Sequence, residues 1–101
     1  MIPGLVSKLS EKLISLTNTI TQESDIIRVT STTSTTVLTN IFSPVAGGLS
    51  GSFLVIINSS GANMTTVTTG NIQTAVTIGQ NVSTLFVYSP SAAKWYPGAL
   101  A

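Results

Sequence analysis

The part of the chain that decides the fold reads Ser52-Phe53-Leu54-Val55-Ile56-Ile57-Asn58. Its apolar run lies between Gly51 and the turn residues Ser59-Ser60-Gly61, which is typical of a strand that is apolar on both faces. A membrane-spanning helix needs about 20 apolar residues, so a run of five is too short for one, despite a mean hydropathy of +0.48. The stretch therefore predicts a central strand of a β domain.

Six further segments have strand character, and residues that favour turns separate them. They are residues 26–30, 36–42, 64–68, 72–78, 82–88 and 94–96. The chain also holds 16 Thr residues, which suit a pleated, half-buried sheet. Seven short strands at near-regular spacing predict a mainly β fold, a compact antiparallel β-sandwich or barrel.

Charge divides the chain into two parts. Six of the seven charged side chains lie within the first 28 residues, and the seventh is Lys94. The six are Lys8, Glu11, Lys12, Glu23, Asp25 and Arg28. We therefore predict an N-terminal amphipathic helix or arm over residues 1–24 and a nearly uncharged β domain over residues 25–101.

An apolar stripe at helical spacing runs through the N-terminal segment. Its members, which occupy the a and d positions of two heptads, are Val6, Leu9, Leu13, Leu16 and Ile20. The stripe predicts a helix over residues 5–20, about 24 Å long, and such a short helix is marginal alone in water. Its partner stays open between the protein's own sheet and the stripes of other copies in a short bundle, and an extended arm is a third interpretation.

Composition argues against catalysis and against metal or nucleic-acid chemistry. The chain has no Cys and no His, which removes the commonest general base and the commonest metal ligand. Its net charge of +1 supplies no basic field to hold a phosphate backbone. We therefore expect no enzymatic activity, no cofactor, no metal ion, no nucleic acid and no membrane partner.

Three local patterns have alternative interpretations. Ser91-Ala92-Ala93-Lys94 matches the S-x-x-K nucleophile motif, but its companion motifs are missing and a hairpin loop is the better interpretation. Glu23 and Asp25 are expected to be solvated or to cap a junction, and a calcium site at Asp25 stays open. The aromatic side chains Tyr88, Trp95 and Tyr96 either line a sugar-binding face or, more usually, belong to the core or a subunit interface.

The nearly uncharged β domain has few means of protecting its sheet edges. Exposed edges are normally blocked by Lys, Pro or bulges, and between Val29 and Ala101 the single charged side chain is Lys94. Either neighbouring subunits cover these edges or the sheet closes into a barrel.

Several short motifs of residues 25–98 carry a resemblance. They are Ile27-Arg28-Val29-Thr30 in an opening strand, Gly70-Asn71-Ile72 and Ile78-Gly79-Gln80-Asn81 in turns, and Lys94-Trp95-Tyr96 in a closing strand. In these motifs the chain resembles small β modules of tailed-bacteriophage virion proteins, which include head-decoration, cement and fibre proteins. The resemblance implies a homotrimer that buries uncharged sheets between subunits, and it implies no catalytic residues.

From the resemblance and the composition we expect a capsid decoration (cement) protein, a homotrimer on the outer surface of a phage head. Its partners would be its own copies and the major capsid protein, and the alternative is a receptor- or glycan-binding module of a head or tail fibre. The helix stripe from Val6 to Ile20 is the expected oligomer interface. The expected capsid contacts are Ile2, Pro3, Leu5, Lys8 and Lys12.

Overall fold

The computed structural model describes residues 10–33, 36–42 and 53–98. These residues form ten β-strands and no helix, which confirms the mainly β prediction. The strands are β1 (Glu11–Leu16), β2 (Thr19–Thr21), β3 (Ile26–Thr32), β4 (Val37–Leu38), β5 (Asn40–Phe42), β6 (Phe53–Asn58), β7 (Met64–Thr66), β8 (Thr77–Ile78), β9 (Val82–Ser89) and β10 (Lys94–Pro97).

The strands form three sheets, and successive passes of the chain add parallel strands to the same sheets. The five-stranded sheet has the order β1-β3-β6-β9-β10, with β1, β3 and β6 parallel. A second sheet pairs β2 with β5 in parallel, and a third pairs β4 with β7 in parallel before the antiparallel β8. The described chain therefore winds like a short parallel β-helix, with rungs at residues 10–25, 26–42 and 53–72, and ends in the antiparallel hairpin β9–β10.

The prediction of an antiparallel sandwich or barrel is wrong in its strand directions. The sheets are mixed, and the five-stranded sheet ends at β1 and β10 without closing into a barrel. The predicted strands at residues 26–30, 82–88 and 94–96 and the central strand β6 are confirmed, whereas of residues 72–78 only Thr77 and Ile78 form a strand. Alternation along a strand indicates its two faces but carries no information on the direction of its neighbour, and the rung connections decide that direction here.

The helix predicted over residues 5–20 is wrong where the structure describes it, because residues 11–16 and 19–21 are strands. Ile14 and Leu16 lie two residues apart and face the core together, which is the period of a strand. Asn18 has a φ of 91°, and this left-handed conformation turns the chain between β1 and β2. β1 pairs with β3 in one sheet, so the strands before and after residue 25 share a single core, and the domain division at that residue stays a prediction.

The core lies between the three sheets and takes apolar side chains from every rung. Its fully or almost fully buried members are Leu16, Ile20, Ile27, Val29, Leu38, Ile41, Leu54, Ile56, Met64, Ile72, Ile78, Phe86 and Trp95. One face of the five-stranded sheet points into this core, and the opposite face points outward. The sheet therefore places a second set of side chains, those of alternate residues, on the surface.

Candidate interaction surface

The outer face of the five-stranded sheet carries three rows of side chains that cross the strands. In register, the first row joins Phe53 to Val87 and then to Tyr96. The second row joins Ile26 to Val55 and then to Leu85. The third row contains Leu13, Arg28, Ile57 and Ser83. Residues opposite each other in register project from the same side of a sheet, so these rows form one continuous surface.

The outer face is apolar and open to solvent. Five of its apolar side chains are 39–61% exposed, namely Phe53, Leu13, Leu85, Tyr96 and Val87. Phe53, Leu85 and Val87 come from alternate positions of β6 and β9, whose other positions face the core. A contiguous apolar surface rimmed by polar side chains is typical of an interaction site.

The charges of the outer face lie at one margin, on β1 and β3. Arg28 Nε lies 3.8 Å from Glu11 Oε2, and both side chains are 42% exposed. Arg28 Nε itself is buried and has no hydrogen-bond acceptor among the described residues. The centre of the face, on β6 and β9, carries no charged side chain. The centre of the face is therefore neutral, and the two charges at its margin compensate each other.

The remaining charges of the first rung lie around the corner that connects β2 to β3. Lys12 forms an ion pair with Glu23, and the hydroxyl of Ser10 donates a hydrogen bond to Asp25 Oδ2 at 3.2 Å. Asp25 thus has partners within the chain. Within the described residues, no group of three or more acidic side chains is placed to hold a metal ion. The prediction that Glu23 and Asp25 lie at a solvated junction agrees with their exposure.

The described members of the predicted stripe do not lie together on one face of the fold. Leu16 and Ile20 are buried in the core of their own chain, and Leu13 lies on the outer face. Val6 and Leu9 lie outside the described residues, as do the expected capsid contacts Ile2, Pro3, Leu5 and Lys8. Lys12, the last expected capsid contact, is exposed on β1.

The aromatic residues have separate roles. Trp95 is 3% exposed and lies 5.2 Å from the ring of Tyr88, tilted by 55°, so this pair belongs to the core and its margin. Tyr96 alone of the three is exposed, on the outer face. In the S-x-x-K match, the Lys94 ammonium donates to the carbonyl oxygen of Gly70 at 2.8 Å and so fixes a turn.

The sequence prediction did not single out the outer face. The run in β6 is apolar on both faces and predicts a central strand, and the structure confirms its central position but leaves one face open. A signal was present in β9, where Leu85 and Val87 alternate with the buried Thr84 and Phe86. Two neighbouring strands that are apolar on both faces indicate either a second layer or an interface.

No helix long and apolar enough to cross a membrane occurs in the described segments.

The described residues define an all-β fold with three short parallel rungs and an open apolar sheet face. Comparison with protein-family models gives no match, and comparison with curated proteins gives none either. Among solved structures, the chain is similar to a chain in "Structure of a chaperone-substrate complex", with a TM-score of 0.52 and 18% identity. The similarity covers 85% of this chain and 15% of that much longer one, and at this identity it concerns the fold alone.

Proposed function

We propose that the protein is a structural component of a tailed-bacteriophage virion, a capsid decoration (cement) protein that acts as a homotrimer on the outer surface of the head. The observation that carries the proposal is the open, neutral, apolar outer face. A monomer that exposes such a face is poorly protected against nonspecific association, whereas a subunit of a permanent assembly covers it. The major capsid protein is the proposed second partner.

Some of the many Ser and Thr side chains form hydrogen bonds between successive rungs of the chain. Thr30 Oγ1 donates to the carbonyl oxygen of Ile14 at 3.2 Å, and the hydroxyl of Ser31 donates to that of Ser15 at 2.9 Å. Thr39 Oγ1 donates to the carbonyl oxygen of Asn18 at 3.0 Å. Each bond joins the first rung to the second. Such lateral bonds suit a small protein that must hold one rigid shape, which supports a structural role.

The thermodynamic logic of decoration is mass action. Copies that bind the assembled shell, and not its dissociated parts, shift the equilibrium toward the shell. A rigid fold favours this role, because little conformational entropy is then lost when each copy binds.

Residues 1–24 are proposed to make a large share of the contacts with the shell. The described part of this segment carries Glu11, Lys12 and Glu23 at the surface. Charged and apolar groups side by side fix the register of a contact better than a uniform Ser and Thr surface does. Ile2, Pro3, Leu5, Lys8 and Lys12 remain the proposed contact residues.

A receptor- or glycan-binding fibre module is the second candidate, and the free edge of the first rung favours it. β1 ends the five-stranded sheet and pairs, among the described strands, with β3 alone. A parallel winding of this kind can be extended by further rungs at such an edge. Of the aromatic side chains considered for sugar binding, Trp95 is buried, and the exposure of Tyr96 supports this candidate.

The copy number of the chain in purified virions tests the proposal. Quantitative mass spectrometry of particles of the encoding phage, with the major capsid protein as internal standard, is expected to give many copies per head. Immunogold labelling is expected to place them on the head surface. A handful of copies at the tail or at fibre ends would favour the second candidate, and absence from the particle would contradict both.

A further inference from the structure

We infer that copies of this chain associate through the outer face of the five-stranded sheet, with Phe53, Leu85, Val87 and Tyr96 at the centre of the contact. The inference rests on the proposed homotrimer and names its interface. It replaces the helix stripe, because two stripe members, Leu16 and Ile20, are already buried within their own chain. In a closed trimer, the occupants of this face are the same faces of the two other copies around the threefold axis.

The arrangement of the face is that of an interface centre and its rim. Phe53, Val87 and Tyr96 form one cross-strand row, and Val55 and Leu85 lie in the next. Opposed side chains within such rows have Cβ atoms about 5 Å apart, so the rows present one closely spaced apolar surface. Aromatic residues are enriched and charged residues depleted at the centres of protein interfaces. Ser83, Arg28 and Glu11 supply the polar margin.

Charge makes this face compatible with itself. Identical faces bring identical charges together, so a face with a net charge repels its own copy. Here Arg28 and Glu11 compensate each other at the margin, and the centre is uncharged.

The side chains of the face have sizes that suit packing between subunits. Five of its apolar side chains are 39–61% exposed and are available for burial in a subunit contact. Side chains of packed sheets interdigitate. The large Phe53, Leu85 and Tyr96 beside the smaller Val87 and Val55 supply the knobs and gaps that such packing needs.

Sedimentation equilibrium of the full chain and of three lysine variants tests the inference. Val87→Lys and Phe53→Lys place an ammonium group at the centre of the face. Val82→Lys is the matched control, because Val82 lies on the same strand with the same exposure, 38% against 39% for Val87, but on the other side of the sheet. The fluorescence of Trp95, the single Trp and a buried one, reports whether each variant is folded.

The wild-type chain and Val82→Lys are expected to have three times the chain mass of 10.4 kDa at micromolar concentration. Val87→Lys and Phe53→Lys are expected to stay folded and to raise the dissociation constant at least tenfold, because the contact would bury an unpaired charge. Folded face variants that remain trimers with unchanged affinity would overturn the inference and leave the homotrimer standing.

A wild-type monomer would overturn both the inference and the homotrimer. If that monomer binds phage heads and the face variants do not, the capsid occupies the face, and the inference is wrong while the decoration function stands. Virion location is measured separately by copy number, so failure of the proposed function is distinguishable from failure of the interface.

Discussion

Asn58 lies fully buried at the end of β6, and its side chain holds together the turns that surround it. Its Nδ2 donates to the carbonyl oxygens of Ala62 at 2.7 Å, Ile78 at 2.9 Å and Gly79 at 3.2 Å. Its Oδ1 accepts from the backbone nitrogen and the hydroxyl of Ser60, at 3.1 and 2.7 Å. A buried amide with every hydrogen-bonding atom engaged specifies a single local conformation.

We predict that Asn58→Ala lowers the free energy of unfolding by about 3 kcal/mol, because it leaves buried carbonyl oxygens without a donor. Asn63→Ala is the control, since Asn63 is exposed on the following turn, and its effect should stay within about 0.5 kcal/mol. Urea denaturation followed by Trp95 fluorescence measures both. Equal stability of the two variants would show that the buried amide contributes nothing specific.

Asn71 performs a similar task in the second sheet, where its side chain takes the place of a third strand. Its Nδ2 donates to the carbonyl oxygen of Ile41 at 2.7 Å, and its Oδ1 accepts from the Ile41 nitrogen at 2.9 Å. Gly70 permits this approach, because a Cβ there would overlap the Thr39 carbonyl oxygen and the Asn40 side chain. A side-chain amide thus satisfies the edge of β5 that faces away from β2.

At the scale of the element, β1 is the segment in which the predicted helix and the observed strand place the same side chains differently. In the predicted helix, Leu13 and Leu16 belong to the same stripe and have the same partner. In the observed strand they lie on opposite faces, with Leu16 in the core and Leu13 53% exposed on the outer face. Substitution of the two residues therefore distinguishes the two structures.

We predict that Leu16→Asp unfolds the protein and that Leu13→Asp does not. A carboxylate at Leu16 would be buried without a partner, which costs several kcal/mol, whereas at Leu13 it remains solvated in the monomer. Leu13→Asp is expected to weaken self-association alone, because Leu13 lies at the margin of the outer face. Circular dichroism and sedimentation equilibrium measure the two effects, and identical behaviour of both variants would favour the helix.

At the scale of the whole molecule, the fold separates the parts that make the core from the parts available to partners. The described core begins at Leu16 and receives side chains from all three rungs and from the closing hairpin. The outer face and the charged corner of the first rung lie outside it. Self-association and shell binding can therefore use different surfaces of one small protein.

We predict that replacing residues 2–8 with a Gly-Ser linker of equal length leaves the fold and the oligomeric state intact but weakens binding to undecorated phage heads at least tenfold. The reason is that the proposed shell contacts lie in this segment, whereas the proposed subunit contact lies on the five-stranded sheet. Co-sedimentation with heads measures the affinity. Unchanged binding would show that residues 2–8 do not anchor the protein to the head. The loops at residues 44–51 or 89–94 would then be the proposed contacts.

The sequence by itself determined where most strands of the β body lie. Alternation and turn residues are local properties, so the strands β3, β6, β9 and β10 can be predicted without knowledge of the fold. The central place of β6 was also predictable, because a strand apolar on both faces rarely lies at an edge. The outer face could have been suspected from the same run, had both faces of β9 been compared with those of β6.

Tertiary structure alone decided the strand directions, the secondary structure of residues 11–21 and the open side of the sheet. Parallel and antiparallel neighbours accept the same alternation, so the order of the rungs chose between them. Leu13, Leu16 and Ile20 fit the helical period, while Ile14 and Leu16 fit the strand period, and pairing with β3 favoured the second. Whether an apolar face is covered depends on what packs against it, which is a property of distant segments and neighbouring molecules rather than of local sequence.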